Sequence, residues 1–60
     1  MNWETHRRED GSIDLVAVFT EVNGVPPGSR VAAYLNMIQN LQPIKSRQTA
    51  AVIIATAYYI

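Results

Sequence analysis

A chain of 60 residues that contains no cysteine has only a small core, or a second chain, to hold it together. Domains of this size bury about 60% of the surface that their unfolded form exposes, and a disulfide staple is closed to this one. Disorder does not follow, because 48% of the residues are hydrophobic and the formal net charge is zero. The composition therefore predicts one folded domain over residues 1–60. Only 17% of the residues are charged, against about 25% in ordinary soluble domains, which is too few to coat an isolated small sphere. A homo-oligomer is the expected remedy, since a second copy would cover apolar surface that this chain cannot.

The first half has the residue types of strands. Asp10-Gly11 suits the two central positions of a type I′ hairpin turn, where both residues need positive φ. Before it, Trp3, Thr5, Arg7 and Glu9 alternate with Asn2, Glu4, His6 and Arg8, which predicts a mostly polar edge strand. After it, Ile13 to Val22 is rich in β-branched and aromatic residues and predicts a second strand, with Ile13, Leu15, Ala17 and Phe19 on one face. Asn23-Gly24 and Pro26-Pro27 then predict a connecting loop, because proline removes the amides that a ladder needs.

The second half has helical spacing. Ser29 is placed to cap a helix whose apolar face carries Val31, Tyr34, Leu35, Ile38 and Leu41, and Pro43 ends it. Ser46 is placed to cap another that runs through Ala50, Ala51, Ile53, Ile54 and Ala57 towards Ile60. Here the β propensity of Val52-Ile53-Ile54 and Tyr58-Tyr59-Ile60 leaves a third strand as the competing form. The fold class expected is thus α+β, an N-terminal hairpin followed by two helices and completed by dimerisation. Almost every position from Ala50 to Ile60 is apolar or small, so Val52, Ile53, Ile54, Tyr58, Tyr59 and Ile60 are the expected oligomer interface. That apolar run is 12 residues at most, from Thr49 to Ile60, against about 20 for a membrane-spanning helix. No apolar leader precedes the polar N-terminus, and a cytoplasmic location is the expectation.

Catalytic chemistry finds little footing. The lone histidine, His6, has no neighbouring nucleophile in a motif, and Glu4 with His6 is too small a set of metal ligands to differ from a solvated edge. Gly24 and Gly28 suit turns rather than a phosphate loop. Neither an enzyme, nor a metal, nor a cofactor is expected.

Charge placement says more. Residues 1–22 hold five acids against Arg7 and Arg8, whereas residues 23–60 hold Arg30, Lys45 and Arg47 and no acid. The two sets are expected to neutralise each other within the domain or across a dimer, with Asp14 and Glu21 as the acids closest to hand. Arg30 and Arg47 fall in the first turns of the expected helices, where the dipole disfavours a cation, so Arg30, Lys45 and Arg47 are also a possible anion-binding set. Three bases at zero net charge are a small footprint for nucleic acid, and Val52, Ile53 and Ile54 would stand where a helix-turn-helix reader needs polar groups. The expected function is a protein-binding or regulatory module, non-enzymatic and homo-oligomeric. Its partner surface would be the acidic hairpin with an exposed aromatic: Trp3, Glu4, Glu9 and Asp10. A small nucleic-acid-binding regulator is the alternative.

Overall fold

Asp14 decides the fate of the segment that follows it. Its side chain accepts a hydrogen bond from the backbone N–H of Ala17 at 3.1 Å, which makes it a helix N-cap and not a strand residue. Behind it Leu15, Val18 and Phe19 recur at the helical period and are all buried. Asn23-Gly24 closes the helix: Gly24 takes φ 66° and donates its N–H to the Thr20 carbonyl at 2.7 Å. The computed structural model, which describes residues 2–24 and 29–59, accordingly contains α1 (Leu15–Asn23), α2 (Arg30–Leu41) and α3 (Arg47–Ala57) after a short 3-10 helix, Trp3–His6.

The fold is all helical, with no strand or sheet among the described residues, which corrects the α+β expectation. The first expected strand gives way to the 3-10 helix over Trp3–His6, the second to α1, and Val52-Ile53-Ile54 of the alternative third strand lie in α3. What survives is an isolated antiparallel bridge between Arg7 and Ile13, closed by a bond from the Arg8 N–H to the Ser12 carbonyl at 2.7 Å. The turn itself runs from Arg8 to Gly11, with the Gly11 N–H bonded to the Arg8 carbonyl at 3.0 Å. Gly11 alone of the Asp10-Gly11 pair has positive φ, 89°, so the turn is not type I′ but a β-turn followed by a left-handed glycine.

The helical second half follows its caps. Ser29 accepts from the Ala32 N–H and Ser46 from the Thr49 N–H, each at the N-cap position. Gln42 has extended backbone before Pro43, and α2 stops there. All three helices pack on one another around Leu15, Val18, Phe19, Leu35, Ala50, Ile54 and Ala57. Ile13 and Ile44, from the two connecting segments, complete this core and are tied by a bond from the Ile13 N–H to the Ile44 carbonyl at 2.7 Å. The loop expected at Pro26-Pro27 and Gly28 lies outside the described residues. No helix among them is long and apolar enough to cross a membrane.

Candidate interaction surface

The N-terminal segment is organised by Arg7. Its guanidinium donates from Nε and one terminal nitrogen to the two carboxylate oxygens of Glu4, at 2.7 and 3.1 Å. The other terminal nitrogen donates to the carbonyls of Gly11 at 2.6 Å and Lys45 at 3.0 Å. One planar fork thus joins the 3-10 helix, the turn and the segment before α3. The Arg7 bond is the largest influence holding the Glu4 carboxyl below its ordinary range, and Glu4 in turn raises Arg7. Asp10 accepts from both the hydroxyl and the backbone N–H of Ser12, at 2.6 and 2.8 Å, and these bonds lower its carboxyl pKa. An ion pair of Arg8 with Asp14 at 3.5 Å and a hydrogen bond between His6 and Glu21 hold the segment to α1.

The expected partner residues do not all stand free: Trp3 is half-buried against the core, while Glu4, Glu9 and Asp10 are exposed, Glu4 clamped by Arg7 and Asp10 bonded to Ser12. Nor do the three basic residues form one set. Arg30 and Arg47 do open α2 and α3, but α2 separates Arg30 from Lys45 and Arg47 by about 17 Å of helix. None of the three makes an ion pair among the described residues. Lys45 and Arg47 come near Asp10 and Glu4, close enough to help lower those carboxyls, whereas Asp14 and Glu21 are taken by Arg8 and His6. Two of the three second-half bases, Lys45 and Arg47, thus lie near acids of the first half without pairing with them, and Arg30 lies at the other end of α2.

The expected oligomer residues divide cleanly between the two sides of α3. Ile54 lies in the chain's own core at 7% exposure, and Ile53 packs half-buried beside it. Val52 is 66% exposed and Tyr59 90%, on the side turned away from the core. Gln48 and Ala55 are exposed with them; Gln48, Val52 and Ala55 recur at helical spacing and form one outer stripe of α3, and Tyr59 follows in the turn after the helix. Tyr58, half-exposed, packs its ring tilted by 45° at 5.4 Å from that of Phe19 and so fastens the end of α3 to α1. Ile60 lies outside the described residues. Leu41 and Met37 are exposed on α2, among Asn36 and Asn40.

One polar residue that matters was not singled out by sequence. Gln39 is buried, accepts the N–H of Leu15 through Oε1 at 2.9 Å and donates through Nε2 to Asn36 at 2.9 Å. Its spacing from Ala32 and Leu35 was the available signal, since all three share a helix face. No group of three or more acidic, histidine or cysteine side chains that could hold a metal, and no pocket, occurs among the described residues. No protein-family model matches the sequence, and no match is found among curated proteins or solved structures.

Proposed function

We propose that the chain is a small non-enzymatic protein-binding module that acts as a homo-oligomer, with the outer stripe of α3 as its contact surface. The observation that carries this reading is the exposure of Val52 on α3 and of Tyr59 in the turn that follows it, in a stretch that bears no charged residue from Gln48 to Tyr59. Exposed apolar side chains with no charge among them are a surface that a protein partner gains by covering. The nucleic-acid reading draws less support, because Arg30 lies at the far end of α2 from Lys45 and Arg47.

Sedimentation equilibrium at micromolar concentration tests the proposal. The expected mass rises with concentration towards at least twice the 6.7 kDa of one chain, and Val52→Glu, at an exposed position, holds it at that of one chain without loss of helical circular dichroism. A wild-type chain that stays folded and sediments as a monomer across the micromolar range would sink it.

A further inference from the structure

Asn23-Gly24 sets a side-chain amide beside the backbone nitrogen best able to attack it. Glycine has no side chain to shield that nitrogen, and its attack on the Asn23 Cγ closes a succinimide ring. The bond from the Gly24 nitrogen to Cγ forms, the Cγ–Nδ2 bond breaks, and the amide nitrogen leaves as ammonia with the proton from Gly24. Water then opens the ring, at Cγ to give aspartate or at the backbone carbonyl to give isoaspartate, so that a water is consumed for each ammonia released. The other asparagines, Asn2, Asn36 and Asn40, precede Trp3, Met37 and Leu41, whose side chains crowd the attacking nitrogen. Asp10-Gly11 could close the same ring, but the bonds from Ser12 keep the Asp10 carboxyl ionised, and a carboxylate is a poor electrophile.

The folded chain engages both reactants. The Gly24 N–H donates to the Thr20 carbonyl at 2.7 Å, and the Asn23 Nδ2 donates to the Phe19 carbonyl at 3.0 Å. As the last residue of α1, Asn23 has helical backbone, which keeps Cγ from the approach that ring closure needs. Glu21, Val22, Asn23 and Gly24 are all exposed, so water reaches the turn once it opens. Attack therefore waits on fraying of the last turn of α1, which frees the nitrogen and the amide together.

We infer that Asn23 is this chain's site of spontaneous deamidation, timed by fraying of the α1 C-terminus. Refolding does not reverse the change. Aspartate at position 23 loses the donor that serves the Phe19 carbonyl and sets a negative charge at the negative end of the helix dipole. Isoaspartate adds a backbone carbon that shifts Gly24 from its bond to Thr20. Either product leaves the last turn of α1 open more often than before. None of this depends on self-association through α3.

The test ages the full chain in mildly alkaline buffer, with and without denaturing guanidinium chloride, and follows each asparagine by peptide mass spectrometry. Asn23 should convert before Asn2, Asn36 and Asn40, and about tenfold or more slowly in the folded chain than in the denatured one. Val22, exposed and just before the pair, sets the stability of the helix end without touching the reacting atoms. Relative to the rate in denaturant, Val22→Gly should speed conversion of the folded chain about twofold and Val22→Ala should slow it about twofold. Hydrogen exchange at the Gly24 amide should change by the same factors, because the same opening frees it. Circular dichroism checks that each variant stays helical; if Val22→Gly unfolds, Val22→Ala decides. Earlier conversion at another asparagine, or none at Asn23 in the folded chain while the denatured chain converts, overturns the site. Equal rates in the folded and denatured chains, or a rate that ignores the substitutions at Val22 while Gly24 exchange follows them, overturns its control by α1.

Discussion

Gly11 holds φ at 89°, a region that a β-branched residue resists, and a Cβ placed there would meet the Lys45 Cδ at an ordinary 3.9 Å. The constraint is therefore backbone strain and not lack of room. Gly11→Val should lower stability by about 1–2 kcal/mol, read as a shift of the urea midpoint; wild-type stability would show that the turn tolerates another backbone. At Gln39 the stake is a buried amide. Gln39→Leu keeps the volume but leaves the Leu15 N–H without an acceptor, and should cost about 1–3 kcal/mol, whereas Asn36→Ala removes only an outer bond and should cost less. Equal losses in the two variants would mean that Gln39 acts by packing alone. The need for a glycine at position 11 was legible from Asp10-Gly11, but the turn type was not, because it depends on how many residues oppose each other across the bridge. Gln39 was hidden by its polarity, since a buried amide betrays itself only through the donor it serves.

At the scale of elements, the segment from Ile13 to Val22 shows how propensity and period compete. Its β-branched residues suit a strand, yet Asp14 caps, Leu15, Val18 and Phe19 line one face, and Gly24 terminates. A two-stranded hairpin with a polar partner strand would bury little, while a helix can place that face against α2 and α3. The helical second half was legible because Ser29 and Ser46 cap it at the positions their sequence contexts mark. Arg7, which holds the N-terminal segment to the rest, was not, although its spacing from Glu4 was itself a helical signal. This network makes a pH prediction. The Glu4 and Asp10 carboxyls lie below their ordinary range in the folded chain, so the unfolded chain binds protons more readily. Their contribution is complete above the ordinary carboxylate range and is lost as pH falls through the folded-state values. Urea midpoints should decline in acid from about pH 5 downward, and Glu4→Gln should flatten that decline while lowering stability at neutral pH. An acid profile identical in Glu4→Gln and wild type would remove Glu4 from this role.

For the whole molecule, the sequence-level division into acidic and basic halves is real but works differently from a mutual neutralisation. The ion pairs Glu4–Arg7 and Arg8–Asp14 and the His6–Glu21 contact lie within the first 21 positions, and the bases of the second half form no ion pair among the described residues. Arg30→Gln should consequently leave stability within about 0.5 kcal/mol, the range of ordinary surface changes, and a larger loss would reveal a partner for it. The low charge content and the apolar α3 were legible from composition, but which half of α3 faces inward was not: burial of Ile54 and exposure of Val52 follow from how α3 lies on α1 and α2. That division leaves the outer stripe of α3 as the surface on which the functional reading depends. The measurement that reaches it most directly is a dilution series of amide NMR spectra on the intact chain, from hundreds of micromolar to a few micromolar. The account predicts that shifts move with concentration at Gln48, Val52, Ala55 and Tyr59 and stay fixed at Asn36, Asn40 and Arg30. Shifts independent of concentration throughout, or movements gathered around Arg30 instead of α3, would contradict it.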